Sequence, residues 1–300
     1  MRAKFFLMVI LLFWCCEVAA QIQLYDTNFK LSRKNFVIKV PIEIVHNQVF
    51  LPMVINGQSY RFKLDTGASQ GVIYDDLIFD GVKQLGYIKS EDATGRMREV
   101  KTVELPSFMI ETLQIKGYKV QLMHRNVVRK GEDGIIGFAL FNKGIAAIID
   151  VRNSQMILTD RKKYFNNEEG ESLNYHLKKH VPVIKISPFE NAEEDVLFDS
   201  GSPLFYAINN QKYKELESQN PTISEQVEGV SYGSQIRGHF GREPSGKITM
   251  LNLKRLKWGN YAFCGLRCST INGGSHLGAK LLDYGKVIIN PYKKIKKPLR

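Results

Sequence analysis

Hydrophobic positions in this chain fall in short runs rather than long helical stripes. Between residues 35 and 64 it reads FVIKVPIEIV, VFLPMVI and YRFKL, three apolar stretches separated by polar or turn residues. Runs of this length predict β-strands. Asn56-Gly57 between the last two predicts a tight hairpin, because both turn positions need positive φ. Helical periodicity is scarce and predicts helices over Asp75–Leu85 and Asn210–Gln219 alone. The expected class is all-β, mainly strand with a few short helices.

The pattern also repeats. YRFKLDTGASQGVIYDDL at 60–77 aligns with EDVLFDSGSPLFYAINNQ at 194–211, each running apolar residues into Asp-hydroxyl-Gly. Further on, GIIGFALFNKGIAAIID aligns with SHLGAKLLDYGKVIIN, each carrying an apolar or near-apolar pair before a glycine. Asp65 lies 72 residues before Gly137, and Asp199 lies 79 before Gly278. Two similar halves are therefore expected, residues 35–160 and 181–300. Residues 161–180 would form a polar connection between them, and 21–34 an N-terminal extension.

Asp65 and Asp199 begin the chain's two Asp-[Ser/Thr]-Gly triplets. Ordinary residue usage would produce such a triplet roughly 0.1 to 0.2 times in this length. A lone one reads as a turn aspartate bonding to local amides. A matched pair after matched apolar strands points to paired carboxylates. Two such groups brought together cannot both ionise cheaply, so one keeps its proton. The ionised member can take a proton from water, and the other can donate to a carbonyl oxygen. This chemistry needs no metal, cofactor or covalent nucleophile. Gly67 and Gly201 permit the sharp turn, and the Thr66 and Ser200 hydroxyls can tie one loop to the other.

At these residues, over roughly 35–300, the chain resembles the pepsin/retropepsin-type aspartic peptidases, and most of all the compact bilobal bacterial retropepsin-like proteins. The resemblance implies a bilobal fold of two pseudo-symmetric six-stranded β-barrel lobes. It also implies a cleft between the lobes and hydrolysis of an extended polypeptide by one chain acting as a monomer. Ile135-Ile136-Gly137 matches the family's ψ-loop motif, and His276-Leu277-Gly278 matches with one polar substitution. The family's hydroxyl three residues after the aspartate is present as Ser202 but replaced by Ala68 in the first half. That departure implies a less depressed Asp65 and an activity optimum less acidic than a stomach enzyme's. Pro203 is a second departure, expected to stiffen or distort its loop. A flap should cover the cleft, and the candidates are Gly95 in EDATGRM and Tyr232-Gly233 in GVSYGSQ. GHFGREPSG, at 238–246, reads as a further loop over the site.

Composition changes this picture little. At 44% hydrophobic residues, the 300-residue chain has ample core material. Residues 1–20 combine basic Arg2 and Lys4, an apolar run from Phe5 to Trp14, and a small-residue close at Val18-Ala19-Ala20. This predicts a secretory signal peptide and an exported protein, periplasmic or extracellular, without a stable membrane span. Bulky Trp14 before Cys15 fits a lipid anchor poorly. Without that segment 40 of the 42 basic and 29 of the 30 acidic residues remain, a net charge of +11. The basic residues are scattered, apart from the terminal KKIKKPLR, and no nucleic-acid docking motif accompanies them. A disulfide between Cys264 and Cys268 requires a turn at Gly265, since residues four apart in a straight strand lie too far apart to bridge. His176 and His180 have metal-ligand spacing but lack a third ligand nearby. GVSYG matches the serine-hydrolase elbow, yet the glycine- and proline-broken sequence after it cannot form the helix which that turn needs.

Overall fold

A computed structural model describes residues 28–77, 79–125, 131–291 and 295–296. The expected signal segment, with Cys15 and Cys16, lies outside the described residues. Among the described residues no helix is long and apolar enough to cross a membrane.

Each half builds one large sheet around the same crossing. In the first, strands Gln48–Ile55 and Gln58–Asp65 form the expected hairpin, with Ile55 opposite Gln58. Asn56 and Gly57 turn it at φ of 51° and 81°. Strand Gly134–Gly137 then inserts beside Gln58–Asp65 in parallel, placing Gly137 opposite Asp65. Its other edge pairs antiparallel with Gly71–Tyr74. In the second half His276–Gly278 runs parallel to Ala192–Asp199, with Gly278 opposite Asp199. Its other edge meets Tyr206–Asn209 antiparallel. The two crossings have the same register at the same residue types.

Glycine is required at both crossings for space. A Cβ on Gly137 would lie 2.4 Å from the Gln70 carbonyl oxygen, and one on Gly278 would lie 2.3 Å from that of Leu204. The next amides bind the turns directly. Phe138 N–H donates to Ala68 O at 2.7 Å, and Ala279 N–H donates to Ser202 O at 2.8 Å.

A third sheet joins the halves. Ala146–Asp150 pairs with Gln155–Thr159, which pairs with Val37–Pro41. On its other side Ala146–Asp150 pairs with Val287–Ile289 from the second half. One contiguous core, containing Phe62, Leu64, Ile136, Phe198 and Leu277, runs through both lobes.

Two expectations are corrected. The lobes are not closed barrels: the two large sheets are open, ending on Lys30–Leu31 and Lys83–Glu91 in one lobe, and on Val227–Gly233 and Tyr261–Phe263 in the other. The helix expected at Asp75–Leu85 does not form. Gly81 takes φ of 84°, and a strand begins at Lys83, where antiparallel pairing with Met97–Glu104 overrides weak helical periodicity. The expected connection is also partly structured, since Tyr175–Lys178 pairs with Val181–Phe189 in the second lobe's sheet. Asn210–Gln219 is the expected helix, capped by the Asn209 side chain.

Gly278→Ala is predicted to destabilise the fold by about 1–3 kcal/mol through backbone overlap. Gly274→Ala, with nothing within 4 Å of the added carbon, should stay within about 0.5 kcal/mol of wild type. Urea midpoints of the two variants give the comparison.

Candidate active site

Strand alternation places Phe62 and Leu64 in the core and turns Lys63 and Asp65 to the opposite face. The chain then turns at once: the Ala68 amide donates to Asp65 O at 3.2 Å and to Asp65 Oδ1 at 3.1 Å. The second loop repeats the backbone turn but binds its carboxylate through a different amide. Ser202 N–H donates to Asp199 O at 3.2 Å, and Gly201 N–H donates to Asp199 Oδ1 at 2.9 Å. The backbone turn bond is thus kept beside Pro203.

Crossed hydrogen bonds lock the loops tip to tip. Thr66 N–H donates to Ser200 Oγ at 3.0 Å, and Ser200 N–H donates to Thr66 Oγ1 at 2.9 Å. Each hydroxyl then donates onward into the opposite strand: Thr66 to Phe198 O at 2.6 Å, Ser200 to Leu64 O at 2.9 Å. Both residues are completely buried. The N-terminal lobe also holds the second loop from outside, through Asn47 Nδ2 to Pro203 O at 3.0 Å and Gln48 to Gly201 O.

This lock brings the two acids together. A Cβ on Gly67 would sit 2.6 Å from the Asp199 carboxyl carbon, and one on Gly201 would sit 2.3 Å from that of Asp65. Each glycine makes room for the other loop's acid. Asp199 hydrogen-bonds to Asp65. Burial pushes the Asp199 carboxyl above the usual carboxylate range, against the lowering effects of Lys63, Asp65 and the Gly201 and Ser202 amides. Burial thus favours the protonated form of Asp199, although its side chain retains some solvent contact.

Two polar residues beside the pair were not assigned a role from sequence. Lys63, 1% exposed, places its ammonium 3.8 Å from Asp65 Oδ2 and 3.4 Å from Glu132 Oε2. Its parity with Asp65 in a period-two strand was the available signal. The second is His276, in the ψ-loop. Its Nδ1 lies 3.1 Å from Gly274 O and its Nε2 lies 2.9 Å from Ser202 Oγ. A carbonyl only accepts, so Nδ1 carries the proton and Nε2 accepts from Ser202. The Ser202 hydroxyl is therefore committed to His276, which corrects the expectation that it would support Asp199. Burial holds His276 below its ordinary value, favouring the neutral form, against the Gly274 hydrogen bond and the Asp65 charge.

The flap candidates separate. Gly95 sits at the turn joining Lys83–Glu91 to Met97–Glu104, with φ of 78°. This tip reaches the other lobe, where Asp92 Oδ2 accepts from Phe240 N–H at 2.7 Å and Arg96 donates to Phe240 O at 3.1 Å. Gly238, Gly241 and Gly273 leave room for Asp92, Arg96 and Ala93. Phe240 packs against the apolar cluster that Ala68 also joins, with Val72, Tyr74 and Ile135. Its loop is anchored by Glu243, which accepts from the amides of Gln235, Ile236 and Asn272. Tyr232 is not a lid. It pairs with Lys247 in an edge strand, is 81% exposed, and with Gly233 lies short of the loop that meets the tip. The cysteine expectation is also corrected: Gly265 does make the turn, at φ of 64°, but Cys268 points inward while Cys264 faces solvent, and both are free.

Comparison with known proteins agrees with this fold. Residues 51–140 match the family model described as aspartyl protease. The crystal structure of basic 7S globulin from soybean superposes with a TM-score of 0.55, covering 88% of this chain and 95% of that one at 8% identity. The fold is that of the pepsin-like aspartic peptidases. At so low an identity the superposition shows the fold alone, and the matched segment covers Asp65 but stops short of Asp199. No curated protein matches the chain.

Thr66→Val keeps the shape of the side chain but leaves Ser200 N–H and Phe198 O without partners. Its predicted effect is a loss of about 2–4 kcal/mol, from about 1–3 kcal/mol per buried group. Thr66→Ser should stay within about 1 kcal/mol of wild type in the same denaturant titration.

Proposed function

We propose that the protein is an aspartic endopeptidase that hydrolyses peptide bonds with water activated between Asp65 and Asp199. The observation that carries this reading is the contact between the two acids, enforced by loops whose glycines are each shaped around the opposite carboxyl. Asp65, beside an ammonium, is the ionised member, and Asp199 is the protonated one. Asp65 takes a proton from water as its oxygen attacks the scissile carbonyl carbon, while Asp199 gives its proton to the carbonyl oxygen. In the tetrahedral intermediate the new proton on Asp65 passes to the amide nitrogen and the C–N bond breaks. Asp199 recovers a proton from the remaining hydroxyl. Both acids return to their starting states.

An extended polypeptide is the fitting substrate. It can lie as an added strand beneath the hairpin tip, its alternate side chains entering pockets on either lobe. The tip meets Phe240 across the cleft, so chain entry requires that contact to open. Both acids come from one chain, which supports action as a monomer. The basic-then-apolar start of the sequence supports export. The alternative is a peptide-binding module impaired by Pro203; the backbone turn bond that both acid loops share favours the enzyme.

The test is peptide hydrolysis by wild type and Asp199→Asn. The variant should fold normally and lose about 10²–10⁴-fold in kcat. Wild-type protein that binds peptides yet cleaves none between about pH 3 and 8, where one acid of such a pair should be ionised, would favour the binding module.

A further inference from the structure

We infer that Lys63 is a positioning residue of the acid pair: its buried ammonium, held between Asp65 and Glu132, fixes Asp65 as the ionised partner and sets the pH range of the site. The inference deepens the proposed function and rests on it.

A fully buried lysine is rare, because removing an ammonium from water is costly unless anions surround it. Here two do, at 3.8 and 3.4 Å. The surroundings hold the charge in place. Tyr74 hydroxyl donates to Glu132 Oε1, so that carboxylate keeps a fixed orientation toward Lys63. Arg125 donates to the Glu132 carbonyl oxygen and lies 4.5 Å above the Tyr74 ring. His239, from the loop that meets the hairpin tip, places its ring 6.3 Å from that of Tyr74, tilted by 39°. Asp199 faces the ammonium from the opposite loop and is drawn toward ionisation by it. On the other side, His276 is within electrostatic reach of Asp65.

The charge is also asymmetric in a symmetric frame. Lys63 stands two residues before Asp65, opposite Ile135; two residues before Asp199 stands Leu197, opposite His276. Only the first half has a basic side chain at this position. It stands where the loop lacks a hydroxyl, at Ala68. Lys63 therefore opposes the less acidic optimum expected from Ala68 alone.

The sign of the effect follows directly. An adjacent ammonium favours the ionised form, so it lowers both proton-binding steps of the pair. Without it, both limbs of the bell-shaped kcat/KM profile should move to higher pH. Lys63→Met should move the profile upward by about one pH unit or more. Glu132→Gln removes the competing anion and should move it downward. Opposite displacements from the two variants mark a charge effect, whereas a role in packing alone would lower activity or stability with the profile in place. If Lys63→Met does not fold, Glu132→Gln decides alone: a downward shift supports the inference, and a fixed or upward profile overturns it.

A second readout needs no substrate. Carboxyl ¹³C NMR titration of the full chain, with Asp65 and Asp199 assigned, should show the pair titrating at higher pH in Lys63→Met. That result in a protein that cleaves no peptide would remove the proposed function and keep the role of Lys63. An unmoved titration in a protein that does cleave would remove the role of Lys63 alone.

Discussion

The structure depends on four hydrogen bonds between Thr66 and Ser200 and the backbones opposite them. Two carboxyl groups repel once both ionise, and burial raises that cost. Nothing in either lobe alone would hold them together. The crossed bonds do so from below, inside the core, and satisfy buried backbone groups that would otherwise be left without partners. Their symmetry explains the glycines that follow: each loop must admit the other's acid, so neither Gly67 nor Gly201 can carry a side chain. It also explains the ψ-shaped crossings, whose glycines let the strands support the turns at contact distance.

Onto this symmetric frame the chain places different charges. The first half supplies a buried lysine and no supporting hydroxyl, whereas the second supplies a hydroxyl that is engaged by a histidine. In the proposed mechanism this difference makes one acid the proton acceptor and the other the donor. The site's asymmetry is as much part of the fold as its symmetry.

Much of this was legible in the sequence because it is local or repeated. The Asp-hydroxyl-Gly pair, the apolar-Gly motifs and the Asn-Gly hairpin each need particular residue types at particular backbone positions. The tie between Thr66 and Ser200 followed from the same symmetry. What escaped was tertiary. A lysine in an apolar strand reads as solvated until Glu132, 69 residues away, is seen beside it. Ser202 reads as support for its own aspartate until His276 is seen accepting its hydrogen bond. The segment at Asp75–Leu85 has helical spacing, but strand pairing across the sheet outweighs so weak a preference. Tyr232 beside glycine suggested a lid, yet the closing contact uses Asp92, Arg96 and the backbone of Phe240, which carry no recognisable motif.

The most direct test of the account is a crystal structure with an extended peptide whose scissile carbonyl is replaced by a tetrahedral hydroxyl-bearing carbon. The account predicts that hydroxyl between Asp65 and Asp199, within hydrogen-bond distance of both, with the peptide running as a strand beneath the hairpin that ends at Gly95. A peptide bound elsewhere, or carboxyl groups that part and face separate surfaces, would contradict it.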